Sequence, residues 1–273
     1  MNMLGAQSQK SVWAKLKRSP LLAVIKFILV ILAIIWLMAR GTERLGYLWH
    51  WHRVPQYLFS FVDGKFVAGP IIQGLMVTLD IVWMSLILAF IFGLVTALFR
   101  LSNSFMARIV ARGYLETIRN TPLLVQIFLT YFVLGPILDI ERVTSAVLAL
   151  SLFEGAYASE ILRAGIVSIH KGQWEAAHSL GLSTFHTYWH IVLPQALRRI
   201  LPPLTSQAIS LIKDSALVST IAIYEMTMQA NAIIAETFLT FELYFTIAGI
   251  YLILTVTLSI IVSIMEKRLK VSY

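Results

Sequence analysis

Residues 172–203 read GQWEAAHSLGLSTFHTYWHIVLPQALRRILPP and form a polar segment between two long apolar runs. Gln173–Ala177 consists mostly of good helix formers, which predicts a short helix. Gly181 can adopt the positive φ that ends such a helix, and either Ser183 or Thr184 can cap a second one. The segment therefore predicts a short helix–turn–helix that is exposed to water.

The composition of the whole chain indicates an integral membrane protein. Of its 273 residues, 58% are hydrophobic and only 13% are charged, whereas about 25% charged residues is usual in soluble domains. Charge is costly in hydrocarbon, which accounts for the deficit. The absence of cysteine excludes disulfides, thiolate zinc sites and cysteine nucleophiles. The net charge of +8 fits basic anchors at span ends better than nucleic-acid binding, which calls for a basic soluble domain.

Six apolar runs are long enough to cross a membrane, which takes about 20 residues. The first run exceeds the roughly 7–15 residues of a cleaved signal peptide, so we expect it to remain as an anchor. Glu160 and Arg163, three residues apart at the end of the fourth run, are expected to pair. The runs are 21–39, 71–99, 120–138, 143–162, 200–224 and 243–265.

Basic residues predict how the spans are oriented. With six spans, all four basic clusters fall on one side, and the positive-inside rule places that side and both termini in the cytoplasm. The segment 172–194 is then cytoplasmic as well. The clusters are Lys10, Lys15, Lys17 and Arg18; Arg100, Arg108, Arg112 and Arg119; Lys171, Arg198 and Arg199; and Lys267, Arg268 and Lys270.

The loop 41–70 lies on the opposite side and is rich in aromatic residues. Two interpretations stay open. The aromatic side chains form an interfacial belt, or they form a contact surface for an external binding protein. These residues include Trp49, Trp51, Phe59, Phe61 and Phe66.

The polar segment also resembles a known motif. Glu175–Ala177, Gly181 and Ile191–Pro194 stand at the separations found in the "EAA" loop of ABC importer permeases, and residues 156–220 resemble the polar amino acid family of these permeases. The resemblance extends from about residue 73 to the C-terminus. Three further segments that agree are 73–79, 114–126 and 213–217, the last of them a KDxxL stretch.

The resemblance implies an all-α integral membrane fold with six transmembrane helices, five of them a permease core and one an N-terminal addition. Residues 1–70 would hold the cytoplasmic tail, the extra helix and an extracytoplasmic loop. Residues 71–273 would form the permease domain, with cytoplasmic coupling helices in a loop at about 172–194. The implied location is a bacterial inner membrane.

The same resemblance implies the partners. Two permease subunits, alike or different, form the pore among membrane lipids. An ATP-binding cassette dimer docks on the cytoplasmic loops, and an extracytoplasmic solute-binding protein delivers an amino acid. The residues expected to couple the permease to the ATPase are Gln173, Glu175, Ala176, Ala177 and Gly181. The two alanines would let a partner's groove approach closely.

No cofactor, metal or catalytic residue is expected in this chain. No G-x-x-x-x-G-K-[ST] motif is present, so ATP and Mg would be bound by the partner subunit. His186 and His190 share a helix face, as zinc ligands can, but the HExxH pattern is absent. We therefore interpret these histidines as polar interface residues.

The expected translocation path centres on charged residues within spans. The side chains of adjacent helical residues point about 100° apart, so Lys213 and Asp214 cannot form a well-aligned ion pair with each other. At least one of them must therefore face a polar partner or a water-filled cavity. Either the pair orients a zwitterionic amino acid, or it pairs with Glu154 or another span and fixes packing. The path candidates are Lys213, Asp214, Ser215, Gln207 and Glu154; the family often has Asn in place of Gln207.

A secondary transporter or channel for small polar solutes is the alternative function. Such proteins often show internal repeats, and none is evident between the two halves of this sequence.

Overall fold

The computed structural model describes residues 20–62 and 64–269. The predicted basic cluster Lys10–Arg18 and Lys270 lie outside the described residues. The chain divides into two compact units, residues 1–50 and 51–273. The second unit thus begins about twenty residues before the predicted domain boundary at 70, because the segment leading to that boundary packs with the permease-like part.

The first unit contains one long helix, α1 (Pro20–Arg44). Its apolar side chains are exposed all around the helix, as shown by Phe27, Leu29 and Trp36. A helix that is hydrophobic on every face suits a membrane span. Near its end the guanidinium of Arg40 lies 5.2 Å from the centroid of the Trp36 ring.

The second unit starts with small elements. A 3₁₀ turn (Trp51–Arg53) and a short helix, α2 (Pro55–Leu58), lead into strands β1 (Phe59–Val62) and β2 (Lys65–Ala68). The strands pair antiparallel with Phe61 opposite Phe66, whose rings lie 6.0 Å apart. The aromatic part of the predicted outer loop is therefore a hairpin with exposed rings.

The remaining elements are helical. In chain order they are α3 (Pro70–Leu101), α4 (Phe105–Arg119), α5 (Leu123–Phe128), a π turn (Leu129–Leu134), α6 (Gly135–Leu138), α7 (Arg142–Val167), α8 (Lys171–Ser179), α9 (Thr184–Thr187), a π turn (Tyr188–Val192), α10 (Leu193–Asp214), a 3₁₀ turn (Ser215–Ile221), α11 (Met226–Thr237) and α12 (Thr240–Leu269).

Within the described residues, four helices are long and apolar enough to cross a membrane: α1, α3, α7 and α12. A fifth span results if α4 and the Leu123–Leu138 helix, which are bent by 106° between them, count as one. By length and composition, the described residues therefore provide four or five transmembrane spans, fewer than the six that the sequence predicts. The predicted fifth run, 200–224, is the charged helix α10 followed by a 3₁₀ turn, and its backbone turns to positive φ at Ala222.

The sequence analysis missed α11. Only apolar runs of about 20 residues were sought, and the twelve residues of α11 fall between two of those runs. The helix starts at Glu225, whose buried carboxylate accepts a hydrogen bond from the Met228 backbone N–H at 2.8 Å. The same carboxylate accepts one from the Tyr251 hydroxyl at 3.2 Å, which ties α11 to α12.

Helices α3 and α7 cross in close contact. A Cβ atom at Gly155 would lie 2.8 Å from the Phe92 Cβ and 3.1 Å from the Tyr114 hydroxyl. Only glycine permits this approach, in keeping with the small residues that line membrane helix interfaces. The Tyr114 hydroxyl donates to the Leu152 carbonyl, so α4 is fixed to the same crossing.

Candidate functional site

The segment between α7 and α10 folds as the sequence predicts. Helix α8 is capped by His170, whose Nδ1 accepts from the Gly172 N–H at 3.0 Å. Gly181 has φ of +74°, which turns the chain after that helix. Ser183 caps α9, with its hydroxyl accepting from the His186 N–H at 3.4 Å. The helix, the glycine turn and the serine cap are thus confirmed.

Two contacts hold this coupling loop (residues 171–192) in shape. The rings of Trp174 and Tyr188 meet edge to face with centroids 4.9 Å apart. The Gln195 amide donates to the Gln173 side-chain oxygen at 3.2 Å, which joins the loop to α10. The loop is therefore a folded unit attached to the helix that follows it.

A third contact joins the two long helices beside the loop. The Arg199 guanidinium of α10 donates to the Ser168 carbonyl at 2.7 Å and to its hydroxyl at 2.9 Å. Ser168 follows the last residue of α7. The contact therefore fixes the adjoining ends of α7 and α10 to each other.

The structure exposes four of the five predicted coupling residues. The exception is Ala177, which is completely buried. The expectation that a partner's groove approaches both alanines therefore fails for Ala177, because α8 turns this residue towards its own protein. The exposed residues are Gln173, Glu175, Ala176 and Gly181.

The loop also exposes large apolar side chains that the sequence analysis did not single out. Leu180 is 79% exposed, Phe185 70% and Trp189 61%. The rings of Phe185 and Trp189 are parallel within 7°, at a centroid distance of 6.4 Å. Aromatic residues four apart on a polar helix are the signal that could have found them.

Glu154 of α7 and Gln207 of α10 line one cavity of about 160 Å³, which also touches α3. Glu154 is 2% exposed, and neither carboxylate oxygen has a hydrogen-bond partner among the described residues. The Gln207 amide faces the carboxylate without reaching hydrogen-bond geometry. The other lining residues are Leu86, Ala89, Phe90, Ala158, Leu204 and Ala208.

The other three path candidates lie apart from this cavity lining. Lys213 is exposed and Asp214 half-buried, and neither forms an ion pair in the described part of the chain, so the expected pairing with Glu154 is not formed. Ser215 is buried, and its hydroxyl donates to the Ile212 carbonyl at 2.8 Å.

The loop histidines interact with each other and with the serine cap. The rings of His186 and His190 stack at 5.6 Å, and the Ser183 hydroxyl lies 2.7 Å from His186 Nδ1. Within residues 20–62 and 64–269, no three His, Asp or Glu side chains are placed to hold a metal ion.

Apolar helices joined by a folded, exposed loop, with a largely apolar pocket that holds one carboxylate and one amide, are features expected of a multi-pass membrane transport protein. Comparison with known families agrees: the family described as "Binding-protein-dependent transport system inner membrane component" matches residues 89–271. The chain belongs to this family.

Individual relatives extend the comparison. The chain is 40% identical over 204 residues to a glutamine transport system permease of Escherichia coli (strain K12), covering 74% of this chain and 93% of the relative. It is 38% identical over 221 residues to an L-cystine transport system permease of Bacillus subtilis (strain 168), covering 80% and 91%. A nopaline transport system permease of Agrobacterium fabrum is 38% identical over 200 residues, covering 69% and 83%.

Solved structures give the same result. An amino acid ABC transporter crystallised with histidines is 38% identical, with a TM-score of 0.69 over 73% of this chain and 94% of that one. A methionine ABC transporter has a TM-score of 0.64 at 16% identity, covering 74% and 97%, which is a likeness of fold alone. This chain is therefore a permease subunit of an ABC importer, a transporter rather than an enzyme.

Proposed function

We propose that this chain carries a polar amino acid across the inner membrane, driven by a separate ATPase that docks on the coupling loop. The observation that carries the proposal is the loop itself, which is folded, exposed and attached to two long helices. The relatives named for glutamine, cystine and nopaline support the substrate class, since these are polar amino acids or their conjugates.

The exposed face of the loop offers both polar and apolar contacts to an ATPase. Gln173 and Glu175 can hydrogen-bond to a basic or polar groove, and the apolar Phe185 and Trp189 can fill a pocket within it. A push on this face passes through the Trp174–Tyr188 contact and the Gln195 hydrogen bond into α10. ATP and Mg²⁺ act at a dimer of partner subunits, whose closure supplies the push.

The membrane arrangement follows from charge. With α10 crossing the membrane as the sixth span, the basic clusters fall on one side, and both termini and the coupling loop lie in the cytoplasm. On the opposite side, a solute-binding protein delivers the amino acid, in line with the family's binding-protein-dependent transport. A second permease subunit, identical or homologous, completes the pore around the helices that carry Glu154 and Gln207.

The cavity at Glu154 is suited to the ammonium group of an amino acid. A buried carboxylate without a partner is costly in a membrane, and an ammonium ion that enters the cavity relieves that cost. The Gln207 amide can donate to the substrate carboxylate or accept from its ammonium. Lys213 and Asp214, further along α10, stay candidates for contacts along the same route.

The coupling role is tested with the complete transporter in liposomes. Deletion of residues 172–182 is expected to abolish ATP-dependent amino-acid uptake while the permease itself still inserts into the membrane. A Glu175→Cys variant of this naturally cysteine-free chain should react with a membrane-impermeant thiol reagent only from the ATP side. Labelling from the opposite side, or uptake driven by an ion gradient without ATP, as in a secondary transporter, overturns the proposal.

A further inference from the structure

A second cavity, of about 240 Å³, lies near the coupling loop and is lined by arginines from three helices. Arg100 belongs to the last turn of α3, and Arg163 lies four residues before the end of α7. The remaining arginines project from α4. We name this site the arginine cleft; its arginines are Arg100, Arg108, Arg112, Arg119 and Arg163.

Only two carboxylates, Glu116 and Glu160, line the arginine cleft. Glu160 is shared by three arginines, at 2.7 Å from Arg100, 3.1 Å from Arg119 and 3.7 Å from Arg163. The Glu116 carboxylate accepts a hydrogen bond from the Asn120 amide at 3.0 Å. Five cations against two anions leave a surplus of three positive charges.

Two of these cations have no anionic partner. Arg108 and Arg112 are exposed, and neither forms an ion pair within residues 20–62 and 64–269. They are four residues apart, so their guanidinium groups project from the same face of α4. Several guanidinium groups around one cavity suit a phosphate, because each planar guanidinium can donate two parallel N–H hydrogen bonds to the phosphate oxygens.

Helix α4 has the form of an interfacial helix. Its arginines occupy one face, and the apolar Phe105, Met106, Ile109 and Val110, on a different face, are all exposed. The helix is bent by 106° from the segment that follows it. A helix with one basic and one apolar face lies at the boundary of headgroups and acyl chains.

We propose that the arginine cleft binds the phosphate of an anionic phospholipid headgroup. The exposed apolar residues of α4 enter the acyl region of the membrane beside the cleft. The arginines then lie at the level of the headgroups, where they reach a lipid phosphate rather than a phosphate in solution. The bound headgroup offsets the repulsion among the arginines and thereby fixes α4 against the ends of α3 and α7. The site is independent of the amino-acid path.

The proposal is tested by native mass spectrometry of the assembled transporter with added phosphatidylglycerol or phosphatidylcholine. The intact protein is expected to retain phosphatidylglycerol preferentially. In R108Q/R112Q the affinity should fall roughly 10- to 30-fold, since each basic residue near a membrane surface contributes about 1 kcal/mol. This variant leaves the Glu160 ion pairs in place, so the fold is expected to persist.

The matched control is R198Q/K267Q, which also removes two exposed positive charges but outside the cleft, and it should retain full lipid binding. Equal losses in the two double variants, or equal retention of both lipids, overturn the proposal. Inorganic phosphate is the probe for the other source of this chemistry. Displacement of the lipid by millimolar phosphate would make the cleft a site for soluble phosphate and would refute the lipid proposal. Binding of the acidic surface of a protein subunit in place of the lipid would refute it as well.

Discussion

The indole of Trp174 and the phenol ring of Tyr188 meet edge to face, with centroids 4.9 Å apart and ring planes 81° apart. Trp174 belongs to α8, and Tyr188 begins the π turn that leads into α10. The contact therefore closes the coupling loop on itself across the exposed turn at Gly181. A loop closed in this way moves as one piece when a partner presses on it.

Trp174→Ala should loosen the coupling loop while leaving the membrane bundle intact. An edge-to-face pair is worth roughly 0.5–1.5 kcal/mol beyond its buried area, so the open loop becomes up to about tenfold more populated. We expect faster hydrogen exchange confined to residues 171–192 and a smaller stimulation of ATPase activity by loaded binding protein. Trp174→Phe, which keeps an aromatic ring, should retain most of both. An unchanged stimulation in the alanine variant would show that the ring pair does not transmit force.

Glu160→Gln should destabilise the end of the bundle next to the loop. The glutamate balances Arg100, Arg119 and Arg163, and its removal leaves three cations without their shared anion. Hydrogen bonds to charged groups contribute about 1.5–3 kcal/mol, and the partial exposure of this site places the expected loss near the lower end. The apparent melting temperature of the detergent-solubilised transporter should fall, more so at low salt.

Glu116→Gln is the matched control for that change. Glu116 lines the same cleft but forms no ion pair in the described residues. Its replacement should leave the melting temperature nearly unchanged. An equal loss in both variants would mean that the overall charge of the cleft, and not the contacts of Glu160, determines its stability.

Gly155→Ala should destabilise the crossing of α3 and α7. The added methyl group meets the Phe92 Cβ at 2.8 Å and the Tyr114 hydroxyl at 3.1 Å, and overpacking of this kind costs about 1–3 kcal/mol. Gly113→Ala, in α4, meets nothing within 4 Å and should be neutral or stabilising by up to about 1 kcal/mol. The melting temperature should fall for Gly155→Ala and should stay the same or rise for Gly113→Ala. A rise in stability for Gly155→Ala would refute the close packing described here.

Local features of the site were predictable from the sequence. The turn at Gly181 depends on the backbone freedom of one residue, and the Ser183 cap depends on a hydrogen bond to a residue three positions later. Both features can therefore be recognised from a few neighbouring residues. The Glu160–Arg163 pair was predicted for the same reason and forms at 3.7 Å. Such features need no knowledge of which helices pack together.

Features that depend on packing were not predictable. Arg100 and Arg119 join Glu160 from residues 60 and 41 positions away, and no local rule links them. The burial of Ala177 depends on which face α8 turns to its own protein. Glu154 and Gln207 were both named as path candidates, but the sequence could not show that they share a cavity while Ser215 faces away. Helix α11 was missed because only apolar runs were sought.

Glu154→Gln tests the proposed substrate path. The variant keeps the size and shape of the side chain but removes the negative charge that would attract the ammonium group, and it also removes the cost of a buried carboxylate. The protein should therefore be as stable as the parent or more so. Amino-acid uptake should fall by roughly tenfold or more, since a hydrogen bond to a charged group contributes about 1.5–3 kcal/mol.

The matched substitution is Asp80→Asn, which also removes a carboxylate from an apolar helix but at an exposed position of α3. It should leave uptake unchanged. The measurements are uptake of radiolabelled amino acid in liposomes and the melting temperature of each variant. A stable Glu154→Gln protein with parental uptake would exclude Glu154 from the path, whereas the coupling role of the loop, measured by ATPase stimulation, would stand. A loss of uptake together with a loss of stability would instead assign Glu154 to the packing of α7 against α10.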